Sequence, residues 1–130
     1  MRFAHRLGCW VVLLVLLPGC NSLNPLCGSA RPVPVLNSIS PTTIVFAQMP
    51  PSFPIVLKGS RIVSSSFGLF NGSTVATVVN SSSQLTITVT SSMIAGPGTY
   101  GVQIQTPAGN SGDLGCSSGG KSAILTFTVT

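Results

Sequence analysis

Apolar and polar residues alternate with a period of two along most of the chain beyond residue 35. Leu85, Ile87 and Val89 interleave with Thr86, Thr88 and Thr90; Leu125, Phe127 and Val129 with Thr126, Thr128 and Thr130; Val102 and Ile104 with Gln103 and Gln105. That period puts one set of side chains on a core face and the other in water, which predicts half-buried β-strands. Weaker patterns predict strands over Val35 to Ile39, Ile55 to Lys58, Phe67 to Phe70 and Thr74 to Val79. Asn71-Gly72 joins the last two as a hairpin, because a tight turn needs positive φ at both central residues. Pro54 is placed at the very start of its strand, since a proline within the ladder forfeits a hydrogen bond. Roughly seven strands, separated by Gly, Pro, Ser and Asn with no convincing helix, predict an all-β antiparallel sandwich.

The alternation is absent from the first twenty residues. Arg2 and Arg6 precede an unbroken apolar run, Cys9 to Leu17, and then Pro18-Gly19-Cys20. The run is too short for a bilayer, which takes roughly 20 apolar residues, and suits a cleaved signal segment. Leu17-Pro18-Gly19-Cys20 resembles the bacterial lipobox, with an aliphatic residue at −3, a small one at −1 and cysteine at +1; Pro18 departs from the usual Ala, Ser or Thr. The resemblance implies cleavage before Cys20 and acylation of its thiol, so that the membrane is a partner through Cys20. Each buried CH₂ contributes about 0.8 kcal/mol, so two or three acyl chains hold firmly where one holds marginally. An ordinary secretory signal cut nearby is the competing reading. Asn21 in place of Asp resembles lipoproteins sorted to an outer membrane, where the cell has one. The chain therefore divides into a signal peptide (1–19), a lipidated cysteine with a proline-bearing tether (20–34) and a β domain (35–130).

Charge is scarce. The 130 residues contain six Lys and Arg, one acidic residue and one His. Loss of the signal segment leaves Arg31, Lys58, Arg61 and Lys121 against Asp113, four positive side chains and one negative, or +3. They are spread along the sequence with no run, and read as solubilising charges rather than a nucleic-acid-binding face. General acid–base chemistry has almost nothing to work with: the mature chain has no His, no Glu and one Asp. A serine nucleophile would lack a base, zinc and calcium would lack ligands, and Asp113 in its Gly/Ser/Asn loop reads as a solvated turn residue. Gly109, Gly112, Gly115, Gly119 and Gly120 precede no helix, so a nucleotide site is not expected. No catalytic residue, cofactor or metal is assigned.

From Val35 to Thr130 the order of motifs resembles the immunoglobulin-like IPT/TIG domain. Ile39-Ser40-Pro41 closes the first strand and Gly59-Ser60 follows the second. Phe70-Asn71-Gly72-Ser73 forms the hairpin, Ser82-Ser83-Gln84-Leu85-Thr86 opens the next strand, Gly98-Thr99-Tyr100 begins the sixth and Ala123 to Val129 ends the domain. Arg61-Ile62 stands where the family usually has Gly-Phe, and Gly68 where an apolar residue is common. The resemblance implies an Ig-like sandwich in which the first strand approaches the last. Cys27 and Cys116 would then lie at one end, the two thiols remaining after cleavage and acylation, and are expected to form a disulfide in an oxidising compartment; two free thiols are the alternative. Function falls into two classes, a non-catalytic binding or spacer module contacting an envelope protein, or a carbohydrate-binding module. Sugar platforms need exposed rings, and the mature chain offers only Tyr100, Phe46, Phe53, Phe67, Phe70 and Phe127, most of them at core parity.

Overall fold

In a computed structural model, residues 31–108 and 119–130 are described. They form an all-β sandwich of two sheets, in strands β1 (Val35–Ser40), β2 (Thr43–Ile44), β3 (Ser52–Ser60), β4 (Phe67–Phe70), β5 (Ser73–Thr74), β6 (Ala76–Ser81), β7 (Gln84–Thr90), β8 (Gly98–Thr106), β9 (Gly120–Lys121) and β10 (Leu125–Val129). One sheet has the order β1-β3-β7-β6; the other runs β2-β10-β8-β4-β5, with β9 also paired to β8. Every pair is antiparallel except β2 with β10.

The strands with clear alternation bury the side chains their parity demands. Leu85, Ile87 and Val89 on β7 meet Val102 and Ile104 on β8 and Phe127 on β10 in one core, all of them fully buried. Full burial of an aliphatic or aromatic side chain contributes about 1.5–3 kcal/mol, so these positions dominate the driving force for sandwich formation. The intervening threonines face outward, exposed or half-buried. Phe53 stacks on Phe127 at 5.8 Å and Phe127 meets Phe70 edge-on at 6.0 Å, tying the two sheets together.

Three expectations change. The predicted strand over Thr74 to Val79 is two strands: Asn71-Gly72 does turn β4 into β5, with φ of 48° and 82°, but the chain then leaves that sheet at Val75 and continues as β6 in the other. Val75 is buried at the crossing and its N–H donates to the Gly68 carbonyl, so its apolar side chain belongs to the junction rather than to either ladder.

Pro54 is the third residue of β3, not its first. Odd-numbered residues of this stretch turn their polar backbone groups toward β7, as the Pro51 carbonyl accepting from Ser91 N–H and the Gly59 N–H donating to Ser83 O show. Pro54 therefore faces the β1 side, where pairing has already ended at Ser40 opposite Val56. No partner there requires its missing N–H.

The Cys27–Cys116 disulfide is the third correction: no disulfide joins the chain's cysteines, and both residues lie outside the described segments. The segments flanking them do meet, through hydrogen bonds. Gly119 N–H donates to the Arg31 carbonyl at 2.9 Å, and Arg31 Nη1 donates to Ala108 O at 3.4 Å. One backbone and one side-chain hydrogen bond thus hold the described segments together at this end.

Strands β9 and β10 belong to one run interrupted by a bulge. Between the pairs Gln105–Lys121 and Val102–Leu125, Gln103 and Ile104 face three residues, Ser122 to Ile124. The extra residue is accommodated by buried Ser122, whose Oγ accepts from Ile104 N–H at 3.0 Å and whose carbonyl accepts from Gln103 Nε2 at 2.9 Å.

Candidate functional site

The topology sorts the connections into two ends with different chemistry. Val35, Ser60, Gln84, Phe67, Thr106 and Gly120 mark the end at which the N-terminal approach arrives. Ser40, Ser52, Thr90, Phe70, Gly98 and Val129 mark the far end.

The far end is built chiefly by Ile44 to Pro51, a run without a charged residue. It rounds the bottom of the sandwich through a single 3-10 turn, Phe46–Gln48, because Gln48 N–H reaches Val45 O at 3.1 Å and Met49 N–H reaches Phe46 O at 3.3 Å. Phe46 N–H also donates to Thr130 O at 2.7 Å, fastening the turn to the end of β10. Ile44 and Met49 plug the core from below, which leaves Val45 and Phe46 facing solvent at 45% and 39% exposure. A second 3-10 turn, Ser91–Met93, sits alongside, joined by Ser91 N–H to Pro51 O at 2.9 Å, with Met93 and buried Ile94 against the core. The connections at this end, residues 41–51, 71–75 and 91–97, contain no charged side chain. Val45 and Phe46, adjacent on an uncharged end, suit contact with another apolar surface, while Val33, Val35, Val78 and Ile124 are exposed elsewhere.

The rings are otherwise occupied. Phe70 stacks on Tyr100 at 5.4 Å, and Tyr100 Oη donates to Gly96 O at 2.7 Å while accepting from Gly96 N–H at 3.4 Å. Phe53, Phe70 and Phe127 are buried, and Phe67 and Tyr100 half-buried, leaving Phe46 as the one exposed ring among the described residues.

The other end collects charge. Lys58 lies in the last rows of β3 on the outer face of its sheet, paired to Gln84; Arg61 follows that strand; Lys121 pairs with Gln105 on the opposite sheet; and Arg31 is bound to the stem at Ala108 and Gly119. Lys58, Arg61 and Lys121 are exposed, and no acidic side chain occurs among the described residues. Residues separated by up to ninety positions therefore share one end. Along the sequence they are dispersed, and only strand direction and pairing register say which end of a strand meets which.

Arg61 also has φ of 58°, the left-handed region that favours glycine. Beside it Ile62 is buried and takes the core position. Gly68, the other departure from the family pattern, is buried where Ile87 from the facing sheet fills the space. Its N–H donates to Thr77 Oγ1 at 2.9 Å.

Of the assigned site residues, Cys20, Cys27 and Cys116 lie outside the described residues, as does Asp113. Among the described residues no group of three His, Cys, Asp or Glu side chains could hold a metal ion, and no helix is long and apolar enough to cross a membrane. No protein-family model matches the sequence, and no curated protein matches it.

Proposed function

We propose that the chain is a non-catalytic module of the bacterial cell envelope, an Ig-like domain of IPT/TIG type held to the membrane by acylated Cys20 and contacting another protein through its far end. The observation that carries the contact is the uncharged apolar surface of Val45 and Phe46, at the opposite end from the N-terminal approach. A domain tethered at one end presents the other to its surroundings. The partner surface that fits is apolar and uncharged, because a charged group buried there would find no counter-charge.

The Ig-like assignment draws support from the division of the first strand. Its first part, β1, pairs with β3, and after Pro41 its second part, β2, runs parallel to β10 in the other sheet. The Tyr100 hydroxyl bonding back to Gly96 resembles the tyrosine corner of such sandwiches. The anchoring draws support from the lipobox resemblance at Leu17 to Cys20. Carbohydrate binding is the second reading, and burial of most rings weighs against it, since a sugar platform needs exposed aromatic faces.

Site-specific photo-crosslinking in intact cells tests the contact. A crosslinking residue at Phe46 should give one discrete protein adduct, absent when the crosslinker stands at Ser38 and lost when Val45 is replaced by Asp. Equal adducts from both positions, or a glycan array signal that depends on Phe46, would overturn the protein-contact reading.

A further inference from the structure

We infer that the basic end of the sandwich is a docking surface for anionic phospholipid headgroups, which orients the domain on its membrane. The inference deepens the anchored-module reading and rests on it for the position of the membrane. Three exposed cations, Lys58, Arg61 and Lys121, come from the β3 end of one sheet, the connection that follows it and the β9 end of the other, while the described far-end connections contain none. Arg31, bonded to Ala108, adds a fourth charge at the same end. Among the described residues this end carries no acidic side chain.

Two further observations point the same way. The eleven residues from Cys20 to Arg31 could span at most about 40 Å, and they join the domain at this end, so a lipid on Cys20 keeps this end within that distance of the membrane. Surface potentials act over only about 8–10 Å at physiological salt, so docking needs the cations themselves at the surface, and the end at which the tether attaches gets there with the least turning of the domain. Arg61, moreover, occupies a left-handed backbone position where glycine would be less strained. A role for its charge accounts for a long cation at such a position. Anionic headgroups supply the complementary chemistry: each Lys or Arg near such a surface shifts the docked population by roughly fivefold, so three give roughly a hundredfold.

Lys58 and Lys121 are the only lysines in the chain, so amine labelling read by peptide mass spectrometry reports on this end directly. The full chain, extracted from membranes, is reconstituted into phosphatidylcholine vesicles with and without a third of the lipid replaced by phosphatidylglycerol. Both lysines should label several-fold more slowly on the anionic vesicles at low salt. High salt should remove the protection. Arg61→Gly should lower the docked-to-undocked ratio roughly fivefold, whereas Arg61→Lys should keep it. Equal labelling on both vesicle types, protection that persists at high salt, or protection that appears only with added acidic polysaccharide or nucleic acid would overturn the proposal. The anchor is scored separately in the same samples by flotation: a chain without lipid leaves the phosphatidylcholine vesicles, yet salt-reversible binding to the anionic ones still reads the basic end.

Discussion

Gly68 on β4 and Ile87 on β7 occupy one shared volume between the two sheets: a Cβ on Gly68 would run into Ile87 Cγ2. The facing isoleucine supplies the apolar bulk that the β4 position itself lacks. Gly68→Val should destabilise the domain by about 1–3 kcal/mol through overpacking. Ile87→Ala should cost about 2–5 kcal/mol through the cavity it leaves. The double variant should cost clearly less than the two summed, a coupling that urea unfolding midpoints would show.

The same pair shows what the sequence made legible. Ile87 was readable as core because it alternates with Thr86 and Thr88 on a long strand. Gly68 was not, because its environment comes from the other sheet. Likewise β7, β8 and β10 were found from their period of two, and the turn at Asn71-Gly72 from its dipeptide. The two-residue strand β2 was invisible: its pairing with β10 is parallel and joins residues 85 apart, Thr43 with Thr128. The switch between sheets at Val75 was hidden for a related reason, since one apolar residue between two polar ones reads as strand alternation whether the chain stays or crosses. The candidate ends, apolar and basic, depend on strand direction and could not be read from local pattern at all.

Tyr100 combines a stacked ring with a buried-side hydrogen bond to Gly96 O. Tyr100→Phe should keep the stacking on Phe70 and lose only the hydroxyl, lowering stability by about 1 kcal/mol. Tyr100→Ala should lose considerably more, and thermal unfolding of the two variants separates the contributions.

Ser66 and Thr106 share a buried hydrogen bond of 2.8 Å, and Ser66 Oγ also accepts from Val63 N–H at 3.0 Å. Ser66→Ala strands two polar groups and should cost about 1–3 kcal/mol. Thr106→Val leaves Ser66 satisfied by Val63 and should cost less, by roughly 1 kcal/mol. Matched denaturation curves would show the asymmetry, and equal losses would contradict the network as described.

Arg61→Gly should stabilise the fold. Relief of the left-handed backbone is worth about 1–2 kcal/mol, and the greater freedom of glycine in the unfolded chain offsets about 0.4–1 kcal/mol of it. A net gain of roughly 0.5–1 kcal/mol in urea unfolding is expected. A loss would mean that the Arg61 side chain contributes packing that outweighs its backbone strain.

The anchored account stands on Cys20, and intact-mass analysis of the protein extracted from membranes reads it most directly. The predicted mass is that of residues 20–130 with a diacylglycerol thioether on the Cys20 sulfur, with or without an acyl group on its amine. A chain that retains residues 1–19, begins elsewhere, or has an unmodified Cys20 would contradict the account.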